Sequence, residues 1–184
     1  MLSQLDTAED QMVIQAGRRL AAEVYESFER GQQLSSSLSA LVSQGGYNIT
    51  SAATSTSAAD WESLRRHMTA ELEKTNDVYG LFFASAAGPS AYAQRGAAVS
   101  TATDGLSITS SVSSSHGYSS HPWFTAEMGK TKPTPREQGE TTWSLASNGL
   151  ASPSGSAVLT LVVSHAVYSP SSSSPVGVVG AEVS

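Results

Sequence analysis

The chain has 184 residues, room for one domain with a core of its own or for a domain with a long helix attached. A net charge of −6 with no basic stripe speaks against nucleic acid as a partner, because phosphate binding needs clustered Lys and Arg. The lack of cysteine excludes a disulfide framework and thiolate zinc sites, and it leaves the redox compartment open.

The first 44 residues predict one long helix or two nearly continuous ones. Apolar residues fall at Val13, Ala16, Leu20, Val24 and Phe28, then at Leu34, Leu38 and Leu41, a spacing of three or four. Thr7 followed by Asp10 is a capping start, Gly31 is a candidate bend, and Gly45-Gly46 is a stop. Such a stripe needs a partner, either the rest of the domain or a twin helix, so a homodimer through this helix is expected. Residues 1–46 form this unit, and a Ser/Thr-rich loop separates it from the remainder, 58–184. No stretch reaches the roughly 18 apolar residues of a membrane span. The N-terminus also lacks the basic start and apolar core of a signal peptide. The expectation is a segment excised from a longer membrane protein, reaching the membrane through flanks outside it.

A second helix starts at Asp60 as its N-cap, buries Trp61, Leu64, Met68 and Leu72, and ends near Asn76-Asp77. The period then becomes that of strands. Val78–Ser85 is apolar enough for a central strand, and Ala87-Gly88-Pro89 turns the chain into Ser90–Ala97. Gly105–Val112 is a weaker strand, and Pro122 opens a short helix over 122–129. A polar loop, Lys130–Gly139, precedes strands at Thr141–Ala146, Ala157–Tyr168 and Val176–Val183. This order predicts an α+β protein: an antiparallel sheet of five to six strands with its helical parts on one face. It is also the PAS order, in which the last strand lies centrally beside the first.

Serine is abundant, but no G-x-S-x-G elbow occurs. The four histidines, His67, His116, His121 and His165, form no H-E-x-x-H pair, and no glycine-rich loop opens a helix with a Lys. His116, His121 and Glu182 are the one conceivable metal group, and a weak one. No enzyme activity, cofactor or metal is therefore expected. The informative stretch is Tyr118-Ser119-Ser120-His121-Pro122-Trp123-Phe124. Adjacent large aromatics at a loop-to-helix junction are either core or the wall of a pocket. In the second case His121 orients the ligand.

At these residues the sequence resembles the Cache superfamily of PAS-like sensor domains. In that family an aromatic, a basic residue, a spacer and a Trp-aromatic pair open a short helix, and a Gly-Val-hydrophobic-Gly-x-Asp run closes the sheet. Here the closing run reads Gly177-Val178-Val179-Gly180-Ala181-Glu182. The resemblance implies a ligand site in which His121 stands at the position of a carboxylate-binding Arg. Trp123 and Phe124 stand at the aromatic pair, and Glu182 at the closing Asp of the ammonium site. Tyr118 and, on a later strand, Trp143 complete the candidate lining. No Asp follows Trp143, only Ser144 and Leu145. His lacks the bidentate fork of Arg, so the departure weakens an amino-acid ligand more than it weakens the pocket.

The resemblance therefore implies the extracytoplasmic, periplasmic or extracellular, sensor domain of a membrane receptor of chemoreceptor, histidine kinase or cyclase type. It would bind a small carboxylate or amine and relay binding to an output. The length matches a single Cache module. Two rivals stand beside this reading: a ligand-free structural or interaction module, and a hydrolase using His121 or His165.

Overall fold

The computed structural model describes residues 2–49, 58–95, 108–113, 118, 120–131, 142–147, 159–169 and 172–183. The N-terminal helix, α1, is a single helix over Leu2–Ser43, about 63 Å long at 1.5 Å per residue. The helix is unbroken at Gly31, which lies tight against the sheet: a Cβ built there would meet Val183 Cγ2 at 2.7 Å. The helix ends as the glycine pair dictates. Gly45 adopts φ 80°, and the N–H groups of Gly45 and Gly46 donate to the carbonyls of Val42 and Leu41, at 3.1 and 3.0 Å.

The two halves of α1 differ. From Gly31 onward the residues at helical spacing, Gly31, Ser35, Leu38 and Val42, are buried. Residues 11–26 are exposed throughout, Val13, Leu20 and Val24 of the expected stripe among them.

The second helix, α2 (Ala58–Glu73), buries the four expected residues Trp61, Leu64, Met68 and Leu72. It begins two residues before Asp60, which therefore sits in the first turn rather than at the N-cap. An acidic side chain favours either place, through the helix dipole or through the cap.

Six strands follow: β1 (Val78–Ser85), β2 (Ser90–Arg95), β3 (Ile108–Ser113), β4 (Thr142–Ser147), β5 (Leu159–Tyr168) and β6 (Pro175–Val183). They form one antiparallel sheet in the order β3-β2-β1-β6-β5-β4, with the last strand between the first and the fifth. A short helix, α3 (Pro122–Met128), lies between β3 and β4 in the chain. The predicted ends of β2 at Ala97, of β3 at Gly105, of β4 at Thr141 and of β5 at Ala157 lie outside the described residues.

Strand alternation splits the core in two. Leu81, Phe83, Ala91, Ala93, Val163, Val167, Val179 and Ala181 pack with Leu38 and Val42 of α1 and with Trp61, Leu64, Met68 and Leu72 of α2. Phe82, Ala84, Val162 and Val178 face the other way and pack with Trp123 and Phe124 of α3. The expectation that the helices share one face is thus corrected: α1 and α2 cover one side of the sheet and α3 the other. With both faces covered, β1 and β6 are buried almost throughout, which is why they read as continuous apolar runs.

Arg95 joins α2 to the sheet. It is buried, and its guanidinium donates to the carbonyl of Val78 at 3.2 Å and to that of Leu72 in the last turns of α2. A cation there meets the negative end of the helix dipole.

Candidate functional site

The face of the sheet under α3 is built from cross-strand rows. In one row Gln94, Gly80, Glu182, Val162 and Ser144 lie side by side on β2, β1, β6, β5 and β4. In the next row come Tyr92, Phe82, Gly180, Ser164 and Thr142. Gly80 leaves a notch in the first row. A Cβ built on it would stand 3.2 Å from Glu182 Oε2 and 3.7 Å from Gln94 Cγ. The Glu182 carboxylate is 1% exposed and lies at this notch.

Above the rows sits α3. Proline at its first position fixes the entry, and His121 precedes it in extended geometry, without a side-chain cap bond. The His121 carbonyl accepts from Thr125 N–H at 3.1 Å, and its own N–H donates to the Tyr118 carbonyl at 2.9 Å. These bonds gather four rings. Trp123 meets Phe82 at 4.6 Å and Tyr118 at 5.8 Å between centroids, and the half-buried His121 ring stacks on Trp123 at 5.6 Å. Trp123 and Phe124 are 2% and 8% exposed.

Burial pushes the Tyr118 hydroxyl up to about 12, with the negative charges of Tyr92 and Glu182 adding to the effect and a hydrogen bond with Ser90 opposing it. Tyr118 is therefore a neutral donor in the ordinary pH range, within electrostatic reach of Glu182.

One turn beyond Trp123, Glu127 projects from the same side of α3 and is 1% exposed. Its Oε1 accepts from Lys130 Nζ at 2.9 Å and from Ser164 Oγ at 3.4 Å. The Lys130 ammonium also donates to Thr142 Oγ1 at 2.6 Å. Sequence reasoning missed Glu127, because an acidic residue on a short helix ordinarily faces water.

The structure brings Tyr118, His121, Trp123, Phe124 and Glu182 to one face. It does not bring Trp143 there. On β4 the odd position points to the α1 side, where Trp143 packs on Phe28 with centroids 5.1 Å apart, while Ser144 faces α3. His165 points away as well, with Val163 and Val167, and burial pushes its imidazole pKa down. The two histidines named for a hydrolase thus belong to opposite faces of the sheet. His116 lies outside the described residues, and no group of three metal-ligating side chains occurs among the described ones.

Four buried polar atoms on the α3 side have no hydrogen-bond partner among the described residues: Gln94 Nε2, Trp123 Nε1, Ser144 Oγ and Glu127 Oε2. Folded cores leave very few such atoms.

No protein-family model and no curated protein sequence matches the chain. Solved structures share its fold. One described as methyl-accepting chemotaxis protein X matches at a TM-score of 0.61 and 12% identity, over 98% of this chain and 64% of the other. The extracellular domain of a histidine kinase, soHK1S-Z6, matches at 0.52 and 14% identity, over 95% and 62%. The ligand-binding domain of the Campylobacter jejuni chemoreceptor Tlp3, in complex with L-norvaline, matches at 0.50 and 8% identity, over 94% and 59%. The chain spans about three-fifths of the length of these structures. The fold is α+β and PAS-like.

Proposed function

We propose that the chain is the extracytoplasmic ligand-binding domain of a membrane-linked sensor, and that its ligand is a small molecule carrying an ammonium group received at Glu182. On this reading the chain is not an enzyme. One observation carries the claim that something binds: the four unpartnered buried polar atoms on the α3 face. The class of ligand follows from charge. The buried acceptor at the notch is a carboxylate, the rings of Tyr118, Trp123 and Phe82 stand beside it, and His121 takes the place of a carboxylate-gripping Arg. A carboxylate and aromatic faces suit a cation. A neighbouring fold holds an amino acid, L-norvaline, which also carries an amino group.

Tyr118, His121, Trp123, Phe124 and Glu182 would line the site, joined by Gln94 and Phe82; Trp143 is not proposed for it. Binding would favour one arrangement of sheet and helices, and α1 would carry the bias to the rest of the receptor. The exposed apolar residues Met12, Val13, Ile14, Leu20, Val24 and Tyr25 fit pairing of α1 with a second copy.

A second reading has its own support. Trp123, Phe124 and Phe82 are packed closely enough to fill the face themselves, as in a ligand-free spacer module. Thermal-shift and calorimetric screening across amines, amino acids and carboxylates separates the two. Amines should stabilise the protein, and Glu182→Gln should cut the affinity of a hit by at least about tenfold, as loss of a charge-assisted contact implies. A screen in which no compound shifts stability would favour the spacer module. Carboxylates binding while amines fail would sink the ligand class.

A further inference from the structure

We propose that His165 makes the seating of α1 on the sheet sensitive to acid: a proton on its imidazole loosens the C-terminal half of α1, residues 31–42, from β5 and β6. The proton acts from the face of the sheet opposite to α3, and its effect is independent of any ligand at Glu182.

The place of His165 under α1 follows from register. A Cβ built on Gly31 would stand 3.5 Å from Val163 Cγ1, and Ser39 Oγ donates to the Ala166 carbonyl at 3.4 Å, so α1 runs along β5 in the same direction. His165 lies two residues past Val163, about 7 Å along the strand. The same advance along α1, at about 1.5 Å per residue, leads from Gly31 to Ser35. Strand alternation turns His165 to the side of Val163 and Val167, which pack with Leu38 and Val42 of α1. Ser35 and His165 therefore face one another across the interface. Ser35 is buried, and its hydroxyl donates to the Gln32 carbonyl of its own helix at 3.1 Å. His165 Nε2 is buried and has no hydrogen-bond partner among the described residues.

A protonated imidazole donates from both ring nitrogens. At Nε2 that donor and its charge would be sealed away from water with nothing described to accept from it, which costs more than burying a neutral nitrogen. Burial accordingly pushes the His165 pKa below the ordinary 6.5, against the pull of the Glu127 carboxylate and with the help of the Lys130 ammonium. Those two groups form an ion pair at 2.9 Å and are the charges that reach the ring. On β6 its partner is Val179, and on α1 the nearby Gly31, Ser35 and Ser39 are uncharged while Glu29 and Arg30 are exposed. Its neighbour on the β4 side lies outside the described residues. The seated helix thus favours the neutral ring. Its contribution is fully present above about pH 6.5 and is lost as pH falls below that value.

Amide hydrogen exchange of the purified chain, read by mass spectrometry between about pH 7.5 and 5 and corrected for the intrinsic exchange rate, measures the seating directly. Residues 61–72 of α2 serve as the reference, because α2 packs on the β1–β3 half of the sheet. Protection of residues 31–42 should fall with acid while that of α2 holds. Its slope should approach tenfold per pH unit below about 6.5, as for one proton taken up on opening. His165→Phe offers no proton acceptor and should flatten the profile. His165→Gln, uncharged at every pH, should do the same and serves if the Phe variant does not fold.

A flat profile in the unmodified chain overturns the proposal, whether or not either variant folds. So does a fall that persists unchanged in the variants, which would assign the effect to another group. A fall shared equally by α1 and α2 also overturns it, because the acid would then be unfolding the domain rather than releasing one helix.

Discussion

The ring of Phe82 lies across Gly180, its antiparallel partner on β6, so closely that a Cβ built on Gly180 would stand 2.2 Å from Phe82 Cζ. The same ring meets Trp123 of α3 at 4.6 Å between centroids, tilted by 50°. Neighbouring Phe83 does the equivalent on the other face, over Gly177. The glycines of the closing Gly-Val-Val-Gly run are thus seats for β1 rings, one on each side of the sheet.

Gly180→Ala should therefore lower stability by about 1–3 kcal/mol, the usual cost of overpacking. The new methyl group also meets the Val163 carbonyl at 2.8 Å, which cannot swing aside as a side chain can, so the upper end is expected. Shrinking the ring with Phe82→Leu in the same chain should recover part of the loss, a coupling that additive effects would not produce. Denaturant midpoints at constant slope measure both.

Arg95 carries a different kind of load. Its guanidinium reaches the carbonyls of Leu72 and Val78 together, closing α2 onto the first strand. Arg95→Met keeps the apolar stem and removes both donors, leaving two carbonyls to find others. A loss of about 2–3 kcal/mol is expected by thermal or chemical denaturation. Arg95→Lys should rescue less than half, because one ammonium cannot reproduce a planar fork.

Much of this architecture was legible in the chain. The change of period at Val78 marked the first strand, and the apolar run at Val176–Val183 marked a strand buried on both sides. What spacing alone leaves open is which face of a strand meets which helix. Trp143 was expected at the ligand site because it is aromatic on the right strand. Alternation places it on the α1 side and leaves Ser144, an unremarkable serine, facing α3. Gln94 and Glu127 escaped notice for a related reason. Their burial depends on the register of β2 against β1 and on how α3 is seated, neither of which leaves a local mark. Phe82 was visible as core, and only its pairing with Gly180 shows what it does for the site.

The two halves of α1 should respond differently to truncation. Leu38 is 3% exposed against the sheet, so Leu38→Ala should cost about 2–5 kcal/mol. Leu20 is 62% exposed, so Leu20→Ala should change the stability of an isolated chain by less than about 0.5 kcal/mol. If α1 pairs with a second copy, Leu20→Ala should nevertheless weaken self-association in sedimentation equilibrium. Unchanged association would remove residues 11–26 from any dimer contact.

Tyr118 supplies a pH signature of the folded site. Its folded value near 12 lies above the ordinary 10.0, so folding favours the neutral phenol. The stability this contributes is fully present below pH 10 and is lost as pH rises toward about 12. Ultraviolet titration of the folded protein should show one phenol ionising near pH 12, and Tyr118→Phe should delete that step. In the neutral range Tyr118 keeps its proton, and an alkylamine, like a lysine, is charged, so between about pH 6 and 8 neither contributes to the pH dependence of affinity. Amine affinity measured by calorimetry should then fall only as pH approaches the ionisation of the amine itself.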